Sequence, residues 1–355
     1  MQLPEMTHWE RIEHAIAGRE VDRVPLSLWR HWPESDQDPA ALAAATVRWQ
    51  RAHDFDLVKF MPTGTYGIED WDATTIYKPT TYGTRTVTHF GVTSVEAWPK
   101  LARLDPAQGY LGRQIEALRL AAVELSGTVP ILQTVFSPLT TAFKLAGDRV
   151  FADLRCHADI FEAGLRTIAE TTLAFARASI EAGAHGLFFS SQCSTFRLLT
   201  EAEYRRFGEP YDRMVLDGIR SDARFNMLHI HGSDIMFDLM AGYPVQMLNW
   251  HDRRVRPNLE EASRRFDGLL VGGLDEANTL ANGPVEAIGA EVRQAIAETG
   301  GRRLMIAPGC VLNIATPDSH IRAAIEALAD ACADPNGSAD PTHVRSGGRA
   351  GAVLD

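Results

Sequence analysis

The sequence has no apolar run approaching the roughly 18 residues needed to cross a bilayer, which excludes a helical membrane span. Its opening stretch, MQLPEMTHWERIEHAIAGRE, has no apolar centre of the kind a signal peptide carries. Cysteine is scarce: Cys156, Cys193, Cys310 and Cys332 are scattered, with no CxxC pair to mark a zinc knuckle or a redox motif. With no export signal, these are expected to be reduced thiols in a soluble, cytoplasmic protein. Positive charge is also short. Lys and Arg number 35 against 46 Asp and Glu, and the formal net charge of −11 argues against nucleic acid as a partner. No glycine-rich phosphate turn follows an early strand, which weighs against a doubly wound dinucleotide fold. No GxSxG elbow surrounds Ser190 or Ser191, so neither reads as a nucleophile.

What is present is a regular alternation. Continuous apolar runs at 24–29, 55–62, 129–136, 184–191, 225–232, 245–252, 268–275 and 303–310 read as strands covered on both faces. Between them lie long amphipathic helical patterns, such as 151–183 and 284–301, several of which stop at glycine. Eight strands in β–α alternation predict an α/β protein, a (β/α)8 TIM barrel, as a single domain over 1–332. Within 63–110, TTIYKPTTYGTRTVTHFGVTS alternates β-branched and aromatic residues around Gly83. That pattern predicts a hairpin inserted between the second and third strands, over the barrel mouth. Residues 333–355, rich in Gly, Pro and Ser, are expected to form a flexible tail.

In such a fold the reactive groups sit where strands end. The strand ends here carry Arg30 and His31, Tyr66, Ser191 and Gln192, His229 and His231, Asn249 through Asp252, Asp275, and Cys310. In FNMLHIHGSD, His229 and His231 are two apart and share one face of a strand, directed inward. With the thiolate of Cys310 they would make a three-ligand zinc site with one open position. The alternative is that both histidines only hydrogen-bond to a substrate or to a carboxylate such as Asp234 or Asp252. Arg30 is placed to clamp a carboxylate, or to form a rim salt bridge. His251 and Asp252 read either as a mutually oriented proton-transfer pair or as a loop cap. Tyr66, His31, Ser191, Gln192, Asn249, Trp250 and Asp275 complete the expected substrate-binding set.

The ordered segments RVPLSLWRHWPE, SPLTTAFKLAGD, GAHGLFFSSQ, LHIHG, VQMLNWHD, LLVGGLD and APGCVLNIATPDSHIRAAIEAL resemble the uroporphyrinogen decarboxylase superfamily over about residues 7–332. The resemblance implies a barrel with its site at the C-terminal mouth, a small-molecule substrate and a homodimer. Uroporphyrinogen decarboxylases proper carry two arginines in a MRQAGR-like segment, an aspartate after the second strand, a tyrosine and a late histidine. Here only Arg30 is kept of the arginines, KFMPTGTYG stands near the aspartate, and Phe143 and Cys310 stand at the tyrosine and histidine positions. Ser191 matches the family's serine. The zinc-dependent corrinoid or thiol methyltransferases of the superfamily carry a HxC…C pattern, matched here as His229, His231 in place of the first cysteine, and Cys310.

Three functions follow as expectations. The first is a zinc-dependent methyl or one-carbon transferase acting with a corrinoid protein or a thiol, with His229, His231 and Cys310 on the metal and His229, His251 and Asp252 catalytic. The second is a cofactor-free decarboxylase of uroporphyrinogen or another carboxylated substrate, held by Arg30. The third is a protein that carries or senses a corrinoid or tetrapyrrole without turnover.

Overall fold

The computed structural model describes residues 4–333; the expected tail lies outside them but for its first residue. Seven of the apolar runs form one parallel sheet, joined in the order β1 (Val58–Phe60), β4 (Ile131–Phe136), β5 (Gly186–Ser191), β6 (Met227–Ile230), β7 (Met247–Trp250), β8 (Leu269–Leu274) and β9 (Leu304–Pro308). Helices occupy the crossovers, as parallel pairing requires. No helix among the described residues is long and apolar enough to cross a membrane.

The eighth run, 24–29, differs from expectation. It makes a single parallel bridge, Leu26 to Ile306 of β9, because Pro25 has no N–H to extend a ladder. The segment nevertheless reaches both edges of the curled sheet. Ser27 N donates to Ile306 O (3.0 Å) and Ile306 N to Pro25 O (2.8 Å), while Asp56 N, just before β1, donates to Leu26 O (2.9 Å).

Both faces of the sheet are buried. Leu132, Phe188, Met227, Met247, Leu269, Val271, Met305 and Ala307 pack together on the inner face with Trp29, Leu57 and Met61. Their alternate neighbours, among them Phe189, Leu228, Leu248, Trp250 and Leu270, join the helices in the outer core. This two-residue period decides which polar side chains face the interior.

Between β1 and β4, β2 (Thr74–Tyr77) pairs antiparallel with β3 (Arg85–His89). Gly83 in their connection has φ +71°, and a Cβ there would stand 2.8 Å from the Ile314 side chain and 3.1 Å from Pro33. Both the left-handed backbone and the close approach therefore demand glycine. Ile314 N donates to Thr81 O (2.9 Å), and Arg85 pairs with Asp36 at 2.8 Å. These contacts hold the hairpin tip against the segments that follow 24–29 and β9.

At the other end of the sheet, Asp56 is fully buried and receives Arg11 Nη1 (2.6 Å), Arg23 Nη1 (2.6 Å), His8 Nδ1 (2.9 Å) and Leu26 N (2.8 Å). Burial pushes this carboxyl up, but His8, Arg23 and Arg11 outweigh it and bring it down to about 2. Asp56→Ala would leave Arg11 with Asp22 as its remaining carboxylate, and would strip Arg23, His8 and the buried Leu26 N–H of their shared acceptor, so urea unfolding should show a loss of about 3–5 kcal/mol. Since the folded pKa is depressed, the wild-type contribution is complete above about pH 4 and lost as pH falls through about 2. A loss under about 1 kcal/mol at pH 7 would refute this anchoring role.

Candidate functional site

Met227 packs on the inner face, so His229, two residues on, faces inward as well. His231 lies just beyond the end of β6, His251 just beyond β7, and Cys310 two residues beyond β9. Their donor atoms all lie within 4.8 Å of one another. His229 Nε2 and His251 Nε2 stand 3.3 and 3.4 Å from His231 Nδ1. Cys310 Sγ stands 3.8 Å from His229 Nε2 and 3.7 Å from His231 Nδ1.

Outer partners set which ring nitrogen is free. His229 Nδ1–H donates to Asn249 Oδ1 (2.6 Å), and Asn249 Nδ2 donates to Val271 O (2.9 Å) and Pro308 O (3.0 Å). His251 Nδ1–H donates to Glu276 Oε1 (2.9 Å), a carboxylate also paired with Arg254 and accepting Gly309 N at 3.1 Å. Both Nε2 lone pairs thus point at His231 Nδ1. Burial pushes His229 well below the usual histidine range, with the charges of His231, His251 and Lys59 adding to it against the Asn249 bond. Burial, then the charge of Lys144, pushes His231 down to about 4. Both imidazoles are therefore neutral at pH 7, the form that binds metals.

The donor set fits a tetrahedral cation. Bonds of about 2.0–2.1 Å to nitrogen and 2.3 Å to sulfur place tetrahedral donors about 3.3–3.6 Å apart, close to the separations here. A single proton on His231 Nδ1 would satisfy one converging lone pair, whereas a cation can take three of the donors and leave the fourth beside its open position. The carboxylate and the amide behind the rings are the outer partners that metal-bound histidines use.

A second group of polar side chains faces the same interior. Lys59 points inward from β1, its Nζ 3.7 Å from the centre of the Phe188 ring. Lys144 donates to Gly64 O at 2.9 Å and lies 4.0 Å from the Phe136 ring. Burial, then the charges of Lys59 and Lys144, drives His31 down to about 3. Arg30 lies over Trp32 at 4.7 Å, with no carboxylate of the described residues within 4.0 Å.

The remaining expected residues scatter. His251 and Asp252 do not pair: His251 turns to Glu276, while the Asp252 carboxylate accepts Gly273 N at 3.1 Å, and its burial raises it to about 7. Ser191 faces outward and shares a hydrogen bond with Tyr204 (2.8 Å), which donates to Asp212 at 2.6 Å. Trp250 also faces outward, its indole donating to Pro257 O at 2.8 Å. Asp275 caps the following turn through Ala277 N and Asn278 N. Tyr66 is buried and donates to Thr134 O at 2.8 Å, and Gln192 N donates to Thr140 Oγ1 at 2.8 Å. Sequence reasoning missed Glu276, Lys59, Lys144 and the place of His251 in the cluster. Lys59 had a signal, a lone charge inside the apolar run FDLVKFMP. The outward hydrogen bond of Ser191 predicts that Ser191→Ala lowers stability by about 1 kcal/mol in urea unfolding. Ligand affinity should be unchanged; weakened binding at unchanged stability would contradict this placement.

Comparison with known proteins agrees with this architecture. The chain is 22% identical over 339 residues to the methylcobamide:CoM methyltransferase MtbA of Methanosarcina acetivorans, covering 91% of this chain and 98% of that one. It is 31% identical over 214 residues to the uroporphyrinogen decarboxylase of Syntrophotalea carbinolica, covering 56% of this chain and 57% of that one. A solved methyltransferase from Methanosarcina mazei shares the fold, with a TM-score of 0.80 at 21% identity over 92% of this chain and 99% of its own. Residues 7–331 match the family Uroporphyrinogen decarboxylase (URO-D), and the protein belongs to that family of enzymes.

Proposed function

We propose that the protein is a zinc-dependent methyltransferase that passes a methyl group from a corrinoid, carried by a partner protein, to a small thiol. The observation that carries the reading is the convergence of His229, His231, His251 and Cys310 within 4.8 Å. Relatives named as methylcobamide:CoM methyltransferases, covered over 98% of their length, support it. We further propose that 24–29 serves as the first stave of an eight-stranded (β/α)8 barrel, with the site at its C-terminal mouth.

His229, His231 and Cys310 would hold the zinc, since a catalytic site keeps three protein ligands and one open position. Zinc, when bound there, supplies a Lewis acid that makes a thiol acidic enough to be a nucleophile. Asn249 fixes the His229 ring so that Nε2 is presented. His251 accepts the thiol proton at Nε2, and Glu276 on its Nδ1–H stabilises the imidazolium that results. The sulfur then attacks the methyl carbon, and the carbon–cobalt bond breaks with its electron pair left on the corrinoid. With His231 where the family's methyltransferases carry cysteine, the ligand set has one thiolate fewer and is more electrophilic. The decarboxylase reading draws on the partial match to uroporphyrinogen decarboxylases, but leaves the four converging donors without a role.

Protein purified from zinc-supplemented cells should contain about one zinc per chain, and Cys310→Ala or His229→Ala less than about 0.1. His251→Gln should keep the zinc and lower methyl transfer from methylcobalamin to coenzyme M by about 100-fold or more. Full activity after complete chelation, or carbon dioxide release from a polycarboxylate indifferent to chelator, would overturn the proposal.

A further inference from the structure

Lys59 is 7% exposed, yet its ammonium has no hydrogen-bond acceptor and no carboxylate within 4.0 Å among the described residues. It lies instead over Phe188 at 3.7 Å and Trp29 at 5.2 Å. Its strand neighbours Val58 and Phe60 are apolar and belong to the outer core. A methionine would fill the inward position without the penalty of a buried, unpaired charge. Lys144 approaches the same interior from the helix Pro138–Ala146, and one carbonyl, Gly64 O, accepts from it.

The charges near these lysines do not cancel. Both are close enough to His31, His231 and Cys310 for charge to be felt between them. Glu276, the carboxylate that touches the cluster, is already engaged by Arg254 and His251. A divalent cation on two imidazoles and one thiolate would add a further net positive charge rather than neutralise the lysines. Burial lowers Lys59 to about 7 and Lys144 to about 8, as expected of ammonium groups that have lost water and gained no carboxylate.

We infer that Lys59, assisted by Lys144, seats an oxyanion group of the small-molecule substrate beside the His/Cys cluster. Lys59 is thus a specificity-determining residue for an acidic substrate. The shared chemistry is a sulfonate, carboxylate or phosphate at the end of a short chain whose other end reaches the cluster. The inference rests on the proposed transfer reaction only for the identity of that other end.

The test uses anions that lack a thiol, so that it does not depend on the metal or on methyl transfer. Ethanesulfonate, propionate and ethyl phosphate are titrated calorimetrically into the zinc-loaded and the chelated protein, with neutral 1-propanol as the control. At least one anion should bind at least about tenfold more tightly than 1-propanol in both forms, and the best of the three identifies the acid group. Lys59→Met should lose at least about tenfold of that affinity, Lys59→Arg should retain most of it, and Lys144→Met should lose less. Lys59→Met should also raise the melting temperature of the ligand-free protein, since an unpaired charge is removed. The inference is overturned by a wild-type protein that does not prefer anions, which needs no variant to fold. It is equally overturned by a Lys59→Met protein that binds them like wild type, or that melts lower. Anion preference in a protein that binds no zinc would leave this inference standing and defeat only the metal reading.

Discussion

The hydrogen bond from His229 to Asn249, 2.6 Å long between paired positions of β6 and β7, holds the centre together. Asn249 has one carbonyl oxygen and two N–H donors, and all three are engaged, the donors by Val271 O on β8 and Pro308 O on β9. One amide therefore ties the strands that deliver His229, His251 and Cys310, and fixes which nitrogen of His229 is free. Any change that rotated it would misdirect the ring and loosen the contact of β7 with β8 and β9 together. Glu276 does the same for His251 while also accepting Gly309 N, the residue before Cys310. The two outer partners make the donor cluster a property of the sheet rather than of its loops.

Electrostatics separates the interior from the surface. The chain carries a net charge of −11, yet its interior gathers Lys59, Lys144, His31 and three further histidines around one thiol. Burial keeps His31, His229 and His231 neutral, and it destabilises the charge on Lys59 and Lys144, which an anionic partner would restore. A site built this way favours a negatively charged ligand and a metal bound by nitrogen and sulfur. The Asp56 network at the opposite end of the sheet shows the contrasting solution, where two arginines and a histidine share one buried carboxylate and no ligand is needed.

Much of this was legible beforehand because the parallel sheet imposes simple rules. Every strand in the seven-stranded sheet lies within an apolar run, since strands buried on both faces must be apolar. The two-residue period turns His229 inward, as the side chain lies here; Cys310, out of phase with Met305 and Ala307, reaches it because the chain has left β9 after Pro308. The same period, applied strictly, would also have turned Ser191 and Trp250 outward; treating strand-end polarity as sufficient placed them in the site. The run 24–29 makes one isolated bridge instead of a ladder because Pro25 removes a donor. The pairing of His251 with Glu276 rather than Asp252 was not legible, because it depends on loops from β7 and β8 meeting in space. Residues next to each other in sequence at a strand end point in different directions, so adjacency misled.

The central claim is that His229, His231 and Cys310 form one metal centre. X-ray absorption at the zinc edge of the purified protein tests it most directly. The account predicts one sulfur at about 2.3 Å and at least two imidazole nitrogens at about 2.0–2.1 Å, with the sulfur lost in Cys310→Ala. A sulfur-free coordination shell in the wild-type protein, or a shell unchanged by that substitution, would contradict it.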